Sequence, residues 1–558
     1  MCGILGGTIR SWDYQKGIES IKHRGPDGGR IESVDGITLA FVRLAVQDLT
    51  AAGMQPMQSG DGQVFLVFNG EIYGYETVRE ELKKKYVFHG NSDTEVILNA
   101  YLEWGNSFIE KIDGMFAIAI YDRRSREIKL FRDRTGIKPL YYYIGEEGIA
   151  FASELKALEN AGKDIHWKID ETAIYDFLFY QYIPDPKTMY RQVKKLKPGY
   201  KLTYHLDTRR TDIDRYWRLK VNTTTGRKRK REDIAEELRY LIGKSVRNHL
   251  IADVPTGTFL SGGIDSSIIT YEAAQAAPKI HAFSIGFTEK EFDESEIAER
   301  FCLEKNIMLK KKILQVKDIA KIRDRMRGWY DEPFADTSAY PTFLVSEFAR
   351  KDATVVLTGD GGDELFGGYG RYLSFLDFYK KRKESGHKAK PFIQSKKRRN
   401  DELAAIRRGL GMTEREFYWE YERKWKIRRD YDPYDHLRQY DMPELPPFTR
   451  MRYLDFKTYL PGDILTKVDR VSMAVSLEAR VPFLSREVVE FAFSLSEEEC
   501  NHGEGLKACL KDAYDGIIPN EILYGIKKGF GIPTNYLWRE KKAVSLYAGV
   551  LEEHWKEL

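Results

Sequence analysis

The second residue of the chain is a cysteine, in the opening sequence MCGILGG. Once Met1 is removed, Cys2 carries both a thiol and a free α-amine. The amine has a reference pKa of about 7.7–8.0 and the thiol one of about 8.5, so near neutral pH the amine can accept the thiol proton. Cys2 is therefore a candidate nucleophile with its own base, and the alternative is a small residue near a terminus.

A second chemical motif is the sequence LSGGIDSS, Leu260–Ser267. It follows a predicted buried strand, Thr256–Leu260, and precedes a predicted helix, Ile264–Ala277. The glycines allow close backbone approach, the serines add hydroxyl donors, and the start of the helix offers unpaired N–H groups, which together favour an anion. No GK[ST] follows, so the loop is not a P-loop. A simple glycine turn is the alternative interpretation.

The pattern of elements predicts two domains and a connection between them. Short apolar runs such as Gln63–Phe68, which the stretch NGEIYG is predicted to follow as a turn, predict a meander of strands. They indicate stacked antiparallel sheets covered by helices in residues 1–210. A polar, charged stretch, 211–231, is predicted as a linker. From residue 232 to 558 the order strand, loop, helix, strand is typical of a parallel sheet with helices on both faces, followed by a helical C-terminal part.

The bulk composition excludes several classes of protein. A chain of 558 residues is too long for one core. Its 89 basic and 85 acidic residues give a net charge of +4, which does not indicate a nucleic-acid partner. There are four cysteines, none in a CxxC pair, and neither a bilayer-spanning apolar run nor a secretory signal is visible. We therefore expect no membrane association and a cytoplasmic location.

These motifs resemble those of known enzymes. The loop LSGGIDSS resembles the pyrophosphate loop of ATP pyrophosphatases. The sequences HRGPDG, RLAVQ, NGE and NSD in the first half resemble the glutaminase domain of class II amidotransferases, which are amino-terminal-nucleophile hydrolases. Together with LFRDRTGIKPLYY, DEPFADTSAYPT, LPGDILTKVDRVSMAVSLEARVPFL and IKKGFGIP, they make the whole chain similar to the glutamine-hydrolysing asparagine synthetases. The resemblance implies an αββα sandwich followed by an α/β ATP-pyrophosphatase domain.

For the first domain, the resemblance implies that Cys2 attacks the side-chain amide of glutamine. The Asn69 amide and the Gly70 N–H would form the oxyanion hole. The substrate itself would be held by the glutamine-binding residues, which are Arg43, Asn69, Gly70, Glu71 and Asp93. Of these, Arg43 would pair with the substrate carboxylate and Asp93, with Glu71 nearby, would hold its ammonium group.

For the second domain, the resemblance implies ATP and Mg²⁺, with aspartate activated as an acyl-adenylate. Asp265 and Asp363 would be the magnesium ligands, because Mg²⁺ prefers hard oxygen ligands shared with phosphate. Lys527, in GIKKGF, would neutralise charge that develops on the phosphates, and Asp360 would act in forming the adenylate. The implied ATP-binding residues are Leu260, Ser261, Gly262, Gly263, Asp265, Ser266, Ser267, Ile285, Thr358 and Gly359.

Two alternatives to asparagine synthesis stay open at the level of sequence. In the first, the same two-site chemistry acts on a different carboxylate, as in polysaccharide or secondary-metabolite pathways. One departure favours it, because Asp360 in TGDG stands where related synthetases have the glutamate of SGEG. In the second, the chain is a catalytically inactive binding or scaffold protein. Glutamine, aspartate and ATP are the expected partners, and a homodimer is the candidate assembly.

Overall fold

The computed structural model of the protein describes residues 1–288, 293–315, 322, 325, 328–384, 431–502 and 505–525. In the first part of the chain, twelve strands form two antiparallel sheets of six strands each. These strands are β1 (Gly3–Gly7), β2 (Gly28–Val34), β3 (Ile37–Arg43), β4 (Met57–Gln58), β5 (Val64–Tyr73), β6 (Asp113–Asp122), β7 (Glu127–Arg132), β8 (Tyr141–Gly145), β9 (Gly148–Ala152), β10 (Val193–Lys195), β11 (Tyr200–His205) and β12 (Thr211–Arg215).

The two sheets pack face to face and each is covered by helices on its other side. The first sheet has the order β10-β8-β9-β1-β3-β2 and the second β12-β11-β7-β6-β5-β4. Along β5, Phe65 and Val67 join the apolar cluster between the sheets, whereas Leu66 and Phe68 join a cluster with the helix Asp93–Trp104. This alternation follows from the two-residue period of a strand. The αββα sandwich predicted for this domain is confirmed.

One local prediction in this domain is wrong. The stretch NGEIYG was expected to form a turn after Phe68, but β5 continues to Tyr73. The strand is held by pairing with β6, in which Asn69 lies opposite Ala117 and Gly70 opposite Phe116. Long-range pairing therefore overrides the turn preference of the Asn-Gly pair, and the chain turns only at Gly74, which has a φ of +59°.

The second part of the chain contains a parallel sheet of five strands. They are β13 (Thr256–Phe259), β14 (His281–Phe287), β15 (Met308–Leu314), β16 (Val355–Leu357) and β17 (Glu478–Arg480). Their order is β15-β14-β13-β16-β17, and every neighbouring pair is parallel. Val355 and Leu357 pack on one face with the helix Ile264–Ala276, and Val356 packs on the other with the helix Ala339–Ala349. The predicted parallel sheet with helices on both faces is confirmed.

The helices account for the rest of the regular structure. The helix predicted at Ile264–Ala277 is present and ends one residue earlier, at Ala276. The α-helices of the described residues are Tyr14–Glu19, Glu76–Leu82, Asp93–Trp104, Phe108–Lys111, Leu155–Ala161, Glu171–Tyr180, Arg231–His249, Ile264–Ala276, Ser295–Glu304, Ala339–Ala349, Gly362–Phe366, Gly370–Glu384, Asp435–Arg438, Pro447–Lys457, Leu465–Met473, Arg486–Ser494, Glu497–Asn501, Ala508–Tyr514 and Asn520–Leu523.

The region predicted as a linker, residues 211–231, begins with a strand and ends where a helix starts. Strand β12 pairs with β11 at the edge of the second antiparallel sheet, and the next α-helix is Arg231–His249. The domain limits at residues 210 and 232 stay predictions. Across the parts of the chain that the structure describes, no helix has the length and apolar character needed to cross a membrane.

Candidate active sites

Cys2 lies buried at the start of β1, between the two antiparallel sheets. Its Sγ is 3.8 Å from the carbonyl oxygen of Leu44. Burial raises the pKa of the thiol to about 11, although the nearby amino-terminal charge opposes the shift. The thiol is therefore protonated near neutral pH, and it needs a base before it can act as a nucleophile.

With Met1 present, the nitrogen of Cys2 is a peptide N–H and not an amine. It donates a hydrogen bond of 3.1 Å to Oδ1 of Asn69. The free α-ammonium is that of Met1, which pairs with the buried carboxylate of Glu478 in the second domain. Base catalysis by the α-amine of Cys2 thus requires removal of Met1.

Strand β5 places a free hydrogen-bond donor beside Cys2. Asn69 is fully buried, and while its Oδ1 accepts from Cys2, its Nδ2 has no partner among the residues that the structure describes. A buried unpaired donor costs free energy, so such a group in a native site indicates a ligand or a catalytic role. Gly70 follows with a φ of +156°, and a Cβ atom there would lie 2.0 Å from the carbonyl oxygen of Met115. Only glycine fits this position.

Two carboxylates follow on the same strand and on the neighbouring helix. Glu71 accepts a hydrogen bond of 2.8 Å from Nε2 of Gln47, and Asp93 accepts one of 3.1 Å from the N–H of Ile72. Burial raises the pKa of Asp93 to about 6, and burial together with the charges of Asp93 and Glu478 holds the pKa of Glu71 well above its usual value. The pair is a buried acidic site, which suits an ammonium group.

Arg43 ends strand β3 next to Leu44, which contacts Cys2. Its guanidinium donates to two carbonyl oxygens of the following loop, at 2.7 Å to Thr50 and also to Asp48. The arginine is therefore fixed by main-chain acceptors close to the thiol. Its predicted contact with a substrate carboxylate stays a prediction.

The two predicted ATP loops lie side by side at the carboxyl ends of β13 and β16. Ser266 Oγ accepts a 3.1 Å hydrogen bond from the N–H of Ser261, which closes the first loop, and Gly262 has a φ of +87°. A Cβ atom on Gly359 in the second loop would lie only 2.8 Å from the nitrogen of Ser266. The hydroxyl of Ser267 is buried without a partner among the described residues. The loops after β13 and β16 lie close together because the carboxyl ends of neighbouring parallel strands meet at the same edge of the sheet.

The remaining predicted ATP-binding residues lie around these loops. Leu260 donates its N–H to the carbonyl of Phe283 at 2.9 Å, at the end of β13. Thr358 directly follows β16 and donates from its hydroxyl to Asp360 at 2.7 Å. Ile285 lies in β14 and packs into the apolar cluster of that face. The loops are brought together, whereas contact of each residue with a nucleotide stays a prediction.

The two predicted magnesium ligands converge on one positive charge. Lys507 Nζ lies 2.6 Å from Oδ1 of Asp363 and also pairs with Asp265. Burial alone would lower the pKa of Lys507, but the two carboxylates outweigh it and raise the pKa. Two aspartates that hold one cation fit Mg²⁺ when phosphate oxygens complete the coordination. No local sequence motif marks Lys507, which stands 242 residues from Asp265.

A second buried lysine lies close to Asp360. Lys467 Nζ donates to Asp336 at 2.9 Å and to Ser338 at 2.8 Å. Burial raises the pKa of Asp360, and the charge of Lys467 is the main opposing influence. Lys467 is not among the site residues predicted from the sequence. Lys527, which was predicted for charge neutralisation, lies outside the described residues.

Buried ion pairs join the two domains. Arg24 of the first domain contacts Asp469 of the second at 2.9 Å and Glu154 of its own at 2.8 Å. Arg470 contacts the same glutamate at 3.0 Å and Asp331 at 3.2 Å. These side chains are at most 3% exposed, so the interface holds alternating charges from both domains.

Taken together, the fold and the sites define an amidotransferase with an amino-terminal cysteine, joined to a domain with a phosphate-binding loop. Comparison with known proteins agrees. The family described as "Asparagine synthase" matches residues 237–554, and the one described as "Glutamine amidotransferase domain" matches residues 1–217. The chain belongs to the asparagine synthase family, as the sequence motifs predicted.

The relatives match over nearly the whole chain. Asparagine synthetase [glutamine-hydrolyzing] 1 of Bacillus subtilis is 33% identical over 588 residues, which cover 99% of this chain and 90% of the relative. A putative asparagine synthetase [glutamine-hydrolyzing] of Mycobacterium tuberculosis H37Rv is 33% identical, in a match that covers 97% of this chain and 88% of the relative. Asparagine synthetase [glutamine-hydrolyzing] 3 of Bacillus subtilis is 29% identical, in a match that covers 95% of this chain and 87% of the relative.

Proposed function

We propose that the protein makes asparagine from aspartate, ATP and glutamine, with Cys2 as the glutaminase nucleophile. The observation that carries this proposal is the contact of Cys2 with Asn69, whose Nδ2 is a buried donor without a partner among the described residues. A site of this kind is suited to an oxyanion formed beside the thiol. Relatives named as glutamine-hydrolysing asparagine synthetases, similar over the full length of the chain, support the overall reaction.

In the first site, Sγ of Cys2 attacks the side-chain carbonyl carbon of glutamine. The thiol proton passes to the α-amine of Cys2 and then to the leaving nitrogen, so that ammonia departs and a thioester stays on Cys2. Asn69 Nδ2 and the Gly70 N–H stabilise the oxyanion of each tetrahedral intermediate, and water hydrolyses the thioester. Glu71 and Asp93 hold the substrate ammonium, and Arg43 holds its carboxylate.

In the second site, the aspartate side-chain carboxylate attacks the α-phosphorus of ATP, and pyrophosphate leaves. Free carboxylate is a poor acyl donor, whereas an acyl-adenylate has AMP as its leaving group. The loops around Ser261 and Thr358 bind the phosphates, and Lys507 and Lys467 supply positive charge near them. Mg²⁺ held with ATP by Asp265 and Asp363 would neutralise phosphate charge.

Ammonia must then reach the adenylate without being lost to solvent. A continuous apolar cluster supports an internal path, because it contains Leu44 and Ile137 of the first domain together with Leu460 and Leu465 of the second. An apolar route favours neutral ammonia over ammonium, since a buried unpaired charge is costly. The cytoplasmic location and the homodimer stay predictions.

Two experiments test this proposal. Glutamine-dependent release of AMP and pyrophosphate is measured with a panel of carboxylic acids, and L-aspartate is expected to give the highest rate. If another acid drives ATP cleavage and aspartate does not, the assignment of aspartate as the acceptor is wrong.

The Cys2→Ala variant tests the two-site assignment. It is expected to lose glutaminase activity while synthesis from ammonium salts continues. Intact-mass measurement establishes in parallel whether active protein lacks Met1. Loss of both activities in folded Cys2→Ala protein would contradict the assignment.

A further inference from the structure

Arg480 is a buried arginine of the second domain that reaches into the glutaminase site. It is fully buried at the end of β17. Nη1 donates to the carbonyl oxygens of His249 and Ile251, at 2.7 Å each, and Nε donates to Oε1 of Glu478 at 2.6 Å. Three bonds therefore fix the plane of the guanidinium.

The remaining nitrogen, Nη2, faces the first domain. It lies 3.6 Å from Oε2 of Glu71 and has no hydrogen-bond partner among the described residues. The guanidinium also lies 5.7 Å from the ring centre of Tyr73, two residues further along β5. The one donor that Arg480 has left is therefore directed at the carboxylate that is proposed to bind the glutamine ammonium.

Arg480 also favours the ionised form of Glu71. Burial and the negative charges of Asp93 and Glu478 hold the pKa of Glu71 well above its usual value, and the positive charges of Arg480 and the amino terminus oppose this shift. Only an ionised carboxylate attracts an ammonium group strongly. Loss of Arg480 would therefore raise the pKa of Glu71 further and weaken its attraction for the ammonium group.

We propose that Arg480 is a positioning residue of the glutaminase site, which orients the Glu71 carboxylate for the glutamine ammonium across the domain interface. The inference rests on the proposed role of Glu71. This role of Arg480 makes glutamine binding dependent on the synthetase domain. The main-chain carbonyl of Arg480 accepts a hydrogen bond of 2.8 Å from the N–H of Thr358, in the ATP loop.

The test uses the full-length Arg480→Gln variant and glutaminase kinetics between pH 5.5 and 9. A cation beside a carboxylate lowers its pKa by about 1–3 units, so its removal is expected to raise KM for glutamine by about tenfold or more near neutral pH. The pH below which KM rises should shift upward, while kcat changes less than about threefold because Arg480 does not contact Cys2. Unchanged KM and an unchanged pH profile in folded protein overturn the proposal.

A matched control separates this role from general destabilisation. Arg452 is also a fully buried arginine, and its Nη2 donates to the carbonyl of Ala492 at 2.8 Å while the guanidinium lies 4.9 Å from the ring centre of Phe493. Arg452→Gln is expected to lower the melting temperature without changing KM for glutamine. A KM increase of equal size in this control overturns the specific role of Arg480.

Two further variants keep the outcome decisive. If Arg480→Gln does not fold, Arg480→Lys is used: it keeps the charge but cannot bond both carbonyls and reach Glu71, so KM should rise at least about threefold with the pH profile retained. An unchanged KM in that variant overturns the proposal.

The Glu71→Gln variant separates failure of this inference from failure of the proposed function. If Glu71→Gln leaves KM for glutamine unchanged, the proposed role of Glu71 fails. If Glu71→Gln raises KM and Arg480→Gln does not, only the role of Arg480 fails.

Discussion

The free donor on Asn69 gives the sharpest quantitative prediction. Asn69→Ala removes Nδ2 from beside Cys2, together with the Oδ1 atom that accepts from the Cys2 nitrogen at 3.1 Å. Loss of one oxyanion-hole donor costs about 10²–10³ in kcat, or about 2.7–4 kcal/mol of transition-state stabilisation. Because Nδ2 has no protein partner among the described residues, its removal breaks no bond of the free enzyme there. The kinetic loss should therefore exceed the loss of stability.

The stability cost includes the loss of Oδ1. Its removal leaves the Cys2 nitrogen without this acceptor, which costs about 1–3 kcal/mol of unfolding free energy. Asn99→Ala is the matched control, since Asn99 is also buried with an unpartnered Nδ2 but lies on the helix Asp93–Trp104 and not beside the thiol. That control should keep kcat within about threefold of the parent.

The assay measures ammonia release at saturating glutamine. Asparagine synthesis from ammonium salts serves as the internal reference. Asn69→Ala is expected to lower kcat at least about a hundredfold, with little change in KM and with ammonium-dependent synthesis retained. A glutaminase kcat within about threefold of the parent, in protein of comparable melting temperature, would refute the assignment of Asn69 to the oxyanion hole.

Three further predictions concern the carboxylates of the two sites. Asp363→Asn should abolish ATP cleavage without affecting glutamine hydrolysis, as followed by pyrophosphate release; cleavage near the parent rate would mean that Asp363 is not a metal ligand. The pKa of Asp93 is raised to about 6, and only the ionised form attracts an ammonium group, so KM for glutamine should rise as pH falls through 6; a flat KM between pH 5 and 7.5 would contradict this. Asp360→Glu should slow AMP formation from aspartate by about tenfold or more, because the added carbon extends the side chain by about 1.5 Å in a crowded loop; a faster rate would show that the shorter side chain is not adapted to this site.

Local patterns were sufficient to predict the fold. The apolar run Gln63–Phe68 and the glycine loop before the helix Ile264–Ala276 are encoded within a few residues. The layered sheets and the convergence of the two ATP loops therefore followed from general rules. The continuation of β5 through Gly70 could not be predicted in this way. Asn-Gly favours a turn locally, and only the pairing with β6, more than forty residues away, decides for a strand.

The site was predictable where a motif carries several functional residues together. Asn69, Gly70 and Glu71 are consecutive, and the aspartates of the second domain occur inside glycine loops. Lys507 lies outside the quoted motifs and Arg480 lies inside one of them, but each acts on residues hundreds of positions away in the chain. Their roles depend on the packing of helices and domains, which single-residue patterns do not record.

The buried ion pairs between the domains limit how this protein can be recombined. One half of the chain contributes Arg24 and Glu154, and the other contributes Asp469 and Arg470. Each half alone would therefore lack the partners that neutralise its charges. A chimera that takes its halves from two relatives must therefore match these four residues as a set, because an unmatched buried charge costs about 3–5 kcal/mol.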